Sequence, residues 1–211
     1  PGTNPNDRGA IRSDLMRNRA LTDVYEPGSV MKPFTIAMAL ESGMFRPDTP
    51  INTSPGYMSV GRYTVRDTHN YGLIDVTRVI VKSSNVGATK VAFQLSNDHL
   101  YDMFHRFGFG EATGCGFPGE SPGVLPAANG WGQLEKATLS YGYGLSVTPL
   151  QLAQAYAGLA NDGRVRSPTF VFGAANGDSA VLDPTISRTV VGMLSAGVSS
   201  SMGTIPGNTG N

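Results

Sequence analysis

The chain has 211 residues, a length that suits one domain of ordinary size. Sixteen basic side chains balance sixteen acidic ones, which argues against a nucleic-acid partner, because binding phosphates calls for a basic patch. The 27 glycines and 14 prolines imply many turns, while apolar segments recurring along the whole chain supply a core. No segment reads as a signal peptide or a membrane span, and the loop-like start Pro1-Gly2-Thr3-Asn4 has the look of a cut end. The lone cysteine, Cys115, has no partner for an internal disulfide and no neighbour at metal-ligand spacing, so a packing role is expected.

Residues 1–25 show no sustained period and read as loop with short turns. Glu26-Pro27-Gly28 is a strong break. A helix is expected from Ser29, which can cap it, to Gly43, which can end it, with Pro33 near the first turn. Beyond Lys32 this segment is apolar nearly all round, so the helix runs through a core. Residues 44–70 look irregular, with a small hairpin in which Gly61-Arg62 joins 58–60 to 63–65. Further helices are expected over 75–82, 85–95, 100–107, 134–141 and 149–160, the first with Asp75 early and Lys82 late, as the helix dipole favours. Residues 166–172 form the best strand candidate. Asp183-Pro184 opens a last helix through Leu194, and the tail over 195–211 has little to bury. The chain shows no internal repeat and no domain linker.

The chemistry concentrates at two places. Ser29 and Lys32 are three residues apart at the start of the buried helix, so their side chains share a face. A serine hydroxyl needs a base within hydrogen-bond reach, and a lysine deprived of water favours its neutral, basic form. The helix start adds free N–H groups and partial positive charge, both favourable to an oxyanion. On spacing alone, a capping serine followed by a solvated lysine is the preferred reading. Lys82-Ser83-Ser84-Asn85-Val86-Gly87 brings Ser83 and Asn85 into an S-x-N element between two expected helices. Its hydroxyl and amide could bond a lysine, a substrate amide or a leaving nitrogen, although by itself the element reads first as a helix cap.

The context of these elements decides between the readings. Asp23-Val24-Tyr25-Glu26-Pro27-Gly28-Ser29-Val30-Met31-Lys32-Pro33-Phe34 resembles the nucleophile segment of class B penicillin-binding proteins. Lys82-Ser83-Ser84-Asn85-Val86-Gly87 is similar to their second motif. Tyr141-Gly142-Tyr143-Gly144, Thr148-Pro149-Leu150-Gln151-Leu152-Ala153 and Ala160-Asn161-Asp162-Gly163 are similar to their downstream helical signature. The resemblance is closest to the division-specific peptidoglycan D,D-transpeptidases and runs from residue 4 to about residue 194.

This resemblance implies a fold of the α/β (α+β) class, shared by transpeptidases and serine β-lactamases. The chain is expected to hold one partial transpeptidase domain over 1–211, mostly its helical part, with an incomplete antiparallel sheet. In the implied chemistry, Ser29 attacks the penultimate D-alanine carbonyl of a peptidoglycan stem peptide, and terminal D-alanine leaves. An amine of a second stem peptide then takes the acyl group. Lys32 removes the serine proton, Ser83 relays a proton to the leaving nitrogen, and Asn85 holds the substrate amide and orients Lys32. β-Lactams would acylate Ser29. No metal or organic cofactor is implied. The implied partners are peptidoglycan and division proteins, in the periplasm, below an inner-membrane anchor absent from this chain.

The sequence departs from the family at the third motif. No lysine-threonine-glycine or lysine-serine-glycine occurs; Asn208-Thr209-Gly210 is the nearest match, with asparagine in place of lysine. Thr209 and Gly210 are the candidate substrate-binding pair there. Truncation, disorder or natural loss of the motif would each produce such a chain. An elongation transpeptidase, a serine β-lactamase, a β-lactam sensor and a non-catalytic fragment stay open as alternatives. His69, His99 and His105 lack metal-ligand spacing, and Glu26 reads as a loop residue.

Overall fold

The segment after Lys32 has no polar face to offer water, and it goes to the centre of the molecule. Phe34, Ile36, Ala37, Met38 and Ala39 are buried, as is Thr35, whose hydroxyl donates to the Ser140 carbonyl at 2.8 Å. The computed structural model describes residues 17–173 and 177–202. Its helices are α1 (Arg19–Thr22), α2 (Lys32–Glu41), α3 (Val76–Val81), α4 (Asn85–Phe93), α5 (Asn97–Arg106), α6 (Gln133–Ser140), α7 (Pro149–Ala160) and α8 (Pro184–Met202). Helix α2 is packed by α3, α4, α5 and α8. Phe34 meets Phe107, Phe109 and Tyr156 edge-on, with ring centroids 4.9, 5.2 and 5.5 Å away. Aromatic edges against faces are favourable beyond the area they bury.

The strands are short and pair only two by two among the described residues. β1 (Pro50–Asn52) lies antiparallel to β4 (Leu73–Asp75), with Ile51 opposite Ile74. β2 (Tyr57–Val60) and β3 (Tyr63–Arg66) form the expected hairpin, with Met58 opposite Val65. β5 (Arg164–Arg166) pairs with β6 (Asp178–Ala180). The hairpin sets Val60 and Val65 into a small second cluster with Val86 of α4 and Ala137 of α6. That contact carries the chain after β3 to the start of α4, where the S-x-N element lies.

Most helix ends follow their local chemistry. Asp75 caps α3 by accepting from the Arg78 N–H at 2.7 Å, and Thr148 caps α7 in a reciprocal pair with Gln151. Gly43, at φ +72°, ends α2 as expected. Ser29 is not a cap: residues Gly28–Met31 form a turn of 3₁₀ helix that leads into α2, and Ser29 lies within it. The strand expected over 166–172 is not formed beyond Arg166. Pro168 brings no N–H to a ladder, and the Thr169 hydroxyl accepts from the Val171 N–H at 2.9 Å, turning the chain on itself. Helix α8 continues past the expected Leu194, with Ser195 and Ser199 hydroxyls bonded one turn back to the Val191 and Ser195 carbonyls. The pairing of β1 with β4 and the short α1 were not foreseen. The expectations for 1–16 and for 203–211 lie outside the described residues.

Replacing Phe34 by alanine removes a buried ring with three aromatic neighbours. It should destabilise the protein by about 3–5 kcal/mol, read as a lower denaturation midpoint at unchanged slope in urea.

Candidate active site

The 3₁₀ turn is what aligns the first pair. At about three residues per turn, side chains three apart eclipse one another, and Ser29 stands directly over Lys32. The Lys32 Nζ lies 2.9 Å from the Ser29 Oγ, 2.9 Å from the Ser83 Oγ and 2.5 Å from the Ser83 carbonyl oxygen. Lys32 is only 1% exposed, whereas Ser29 and Ser83 are open to solvent. Two hydroxyls thus face the surface with an amine buried beneath them.

This arrangement suits both charge states of the amine. An ammonium has three N–H donors, and three acceptors surround it. A neutral amine can keep two bonds to Ser83 and turn its lone pair to the Ser29 O–H. Burial pushes the Lys32 amine down from 10.5 to about 8, with Asp67 pulling the other way.

Ser83 receives its orientation from the end of α3. Its N–H donates to the Ile80 carbonyl and the Ser84 N–H to the Val79 carbonyl, a reversal that calls for left-handed backbone at Ser83. Its φ is +53°, a region that favours glycine. The Ser84 hydroxyl caps α4 by accepting from the Gly87 N–H at 2.8 Å. Asn85 opens α4, and its Nδ2 donates to the Arg66 carbonyl at 3.0 Å. The bond from Asn85 to Lys32 expected from the sequence is not among these contacts; Asn85 is tied to the hairpin instead. Thr209 and Gly210 lie outside the described residues.

The Tyr141–Gly144 segment reaches the nucleophile turn from far along the chain. The Gly28 N–H donates to the Gly142 carbonyl at 2.9 Å, and the Gly144 N–H donates to Glu26 Oε1 at 2.8 Å. Tyr25 and Val147 exchange both backbone bonds, at 3.1 and 3.0 Å. A Cβ on Gly142 would overlap the Gly28 carbonyl, and Gly142 has a φ of +89°, so this position requires glycine. Tyr143 lies against Gly28, with its ring 5.8 Å from that of Tyr141. Glu26 is therefore a clamp residue and more than a loop residue. Tyr156 adds a third tie, its hydroxyl donating to the Val30 carbonyl at 2.8 Å.

A family model described as the penicillin binding protein transpeptidase domain matches residues 1–210. The chain belongs to that family. It is 38% identical over 206 residues to a probable peptidoglycan D,D-transpeptidase PbpC of Pseudomonas aeruginosa, covering 97% of this chain and 36% of that protein. It is 41% identical over 196 residues to the peptidoglycan D,D-transpeptidase FtsI of Escherichia coli K12, covering 92% of this chain and 33% of that protein. The apo transpeptidase domain of Burkholderia pseudomallei penicillin-binding protein 3 superposes with a TM-score of 0.80 at 40% identity, covering 85% of this chain and 55% of that one. The α/β transpeptidase fold is thereby shown. The chain spans about a third of the length of these two curated relatives.

Two residues of this transpeptidase-family site escaped the sequence reading. Glu26 and Asp67 are ordinary loop carboxylates by composition, and each bonds a segment distant in the chain. Residues set aside take other roles. His105 lies 3.0 Å from Glu111, His69 stacks on Tyr71, and the half-buried Cys115 donates to Glu120 at 3.3 Å. Trp131 is buried beside Tyr101 with its Nε1–H unpartnered.

Two outcomes follow from this geometry. Gly142→Ala should separate the clamp from the nucleophile turn, lowering the melting temperature and exposing the Ser29 segment to proteolysis. Lys32→Met should stabilise the fold. Below pH 8 the folded state holds a buried charge that the unfolded chain, titrating near 10.5, leaves in water. At about 1.4 kcal/mol per pKa unit, this costs on the order of 3 kcal/mol. Wild-type stability should rise between pH 8 and 10.5, where the unfolded chain binds the extra proton, and the advantage of the methionine variant should shrink over that range. Denaturation at pH 7 and pH 10 measures both.

Proposed function

We propose that this chain is part of a peptidoglycan D,D-transpeptidase acting through a serine acyl-enzyme. The observation that carries the reading is the buried Lys32 amine held 2.9 Å from both the Ser29 and Ser83 hydroxyls. The family and the names of the relatives, peptidoglycan D,D-transpeptidases among them, support the substrate class.

In this mechanism the neutral Lys32 amine takes the Ser29 proton as Oγ attacks the penultimate D-alanine carbonyl. The Ser29 N–H, in the first turn of a helix where backbone donors lack intrahelical acceptors, faces the developing oxyanion. The tetrahedral adduct collapses by breaking the peptide C–N bond. The proton passes from Lys32 through the Ser83 hydroxyl to the leaving nitrogen of D-alanine. The amine of a second stem peptide attacks the ester, its proton returns by the same route, and Ser29 is regenerated with a new cross-link. Asn85, fixed to Arg66, presents its Oδ1 to the substrate amide. Thr209 and Gly210 take the place of the third motif, with Asn208 lacking the charge a lysine would offer the substrate carboxylate. A β-lactam enters at the first step and leaves Ser29 acylated.

Similarity to FtsI and to penicillin-binding protein 3 supports a role in septal wall synthesis, with division proteins as partners. It supports a periplasmic location for this part of an inner-membrane-anchored protein. Among the described residues no helix is long and apolar enough to cross a membrane.

Intact mass after incubation with a penicillin tests the reading, with the modified peptide mapped. A lasting adduct on Ser29, absent from Ser29→Ala, is expected, with an acylation rate that rises with pH through about 8 as Lys32 loses its proton. Rapid release of the drug would favour a β-lactamase. A folded wild-type chain that takes no label would support a non-catalytic fragment.

A further inference from the structure

The Ser83–Asn85 turn is held from outside by one carboxylate. Asp67 follows β3, its N–H donating to the Gly56 carbonyl at 2.9 Å, which anchors it to the base of the hairpin. Its Oδ2 accepts from the Ser84 hydroxyl at 2.6 Å and its Oδ1 from the Val86 N–H at 3.0 Å. Both donors flank Asn85, and the Ser84 hydroxyl also caps α4. The Arg66 carbonyl, next in the chain, receives the Asn85 amide at 3.0 Å. Two consecutive residues of the hairpin therefore grip three consecutive residues of the turn.

The same carboxylate is the charge felt at Lys32, where it opposes the effect of burial. Among the described residues, the other charged groups near α2 are engaged elsewhere or face water. Glu41, at the far end of α2, pairs with Arg106 of α5 at 2.5 Å, and Arg106 pairs with Asp102 at 2.8 Å. Arg188 of α8 pairs with Asp162, and Lys90 of α4 donates to the Asn52 carbonyl. Arg78 and Lys82, on and just after α3, are exposed. Asp98, His99 and His105 lie on α5. Burial pushes the Tyr156 hydroxyl up to about 12, so it stays neutral.

We infer that Asp67 is the positioning residue of this site: its carboxylate, bonded to the Ser84 hydroxyl and the Val86 N–H, fixes the Ser83 turn over Lys32. The loop after the hairpin thereby sets both the geometry of the proton relay and the pH at which the amine becomes a base. The second effect is the Coulombic pull of the Asp67 carboxylate on the Lys32 ammonium, which opposes burial. This rests on the transpeptidase reading for its consequence in catalysis, but the state of Lys32 can be read without catalysis.

The chain has four lysines, at 32, 82, 90 and 136, so a full chain labelled with [ε-¹³C]lysine gives few enough resonances to follow, with Lys32 assigned from Lys32→Met. In Asp67→Asn the Lys32 titration midpoint should move to lower pH, and the rise of penicillin acylation with pH should move with it. In Ser84→Ala, which removes one bond to Asp67 and leaves its charge, the midpoint should stay and acylation should slow. A purely structural role would lower the melting temperature of Asp67→Asn and leave the midpoint in place; that result overturns the inference, whether or not the wild-type chain reacts with penicillin. Circular dichroism checks the fold. Where Asp67→Asn fails to fold, Asp67→Glu keeps the charge and should titrate as wild type, and a downward move of its midpoint overturns the inference equally.

Discussion

A single buried amine organises this molecule. Taking a lysine head group out of water is costly, and a buried ion is tolerated only when its donors are met. Lys32 meets three oxygens, two of them from Ser83, fifty-one residues away. Among the described residues no carboxylate is bonded to it, and the one whose charge it feels is Asp67. The site therefore holds a cation without neutralising it. An amine paired directly with a carboxylate would keep its proton well above neutral pH. An amine surrounded only by hydroxyl and carbonyl dipoles yields its proton near pH 8, which is the condition for serving as a base toward a serine.

Placing those dipoles engages parts of the chain that look unrelated in sequence. From one side, the Tyr141–Gly144 segment fixes the turn that bears Ser29, through Gly28, Glu26 and the bridge between Tyr25 and Val147. From the other, the β2–β3 hairpin fixes the turn that bears Ser83, through Arg66 and Asp67. Helix α2 sits between them with its apolar body locked by Phe107, Phe109 and Tyr156. The hairpin's strands are only four residues each, too short to stand alone. Packing of Val60 and Val65 against Val86 and Ala137 is what makes it a firm support.

Much of this is legible in the sequence. The helices that became α2 to α7 carry apolar periodicity and local stop signals, and such signals depend on residues close in sequence. Ser29 and Lys32 were legible for the same reason, being three apart. What escaped was non-local or conformational. The 3₁₀ start of α2 replaces a capped α-turn because Gly28, at φ +66°, is pinned to Gly142, more than a hundred residues on. Glu26 and Asp67 carry no local pattern. The left-handed backbone at Ser83 is invisible in a serine, which ordinarily avoids it. The apolar run after Arg166 read as strand, yet a strand needs a partner with matching donors, and Pro168 offers none. Thr209 and Gly210 belong to residues outside those described.

Two departures from local preference meet at one point. Glycine would be the cheaper residue at position 83, where the backbone is left-handed, and an apolar side chain the cheaper one at position 32, where the surroundings are dry. Either change relieves a cost, and either removes a group that the other contacts. Glycine keeps the carbonyl that faces Nζ but loses the hydroxyl; an apolar residue leaves both oxygens of Ser83 without their donor. Strain at one residue and desolvation at the other thus persist together, in a chain whose other helix ends and core contacts mostly follow local rules. Agreement between local preference and global fold is the normal condition of a stable sequence, and its failure at two touching positions is the pattern expected of a functional site. The fold supplies the surplus, through an aromatic core around α2 and clamps on either side of it, that keeps two unfavourable residues within 3 Å of each other.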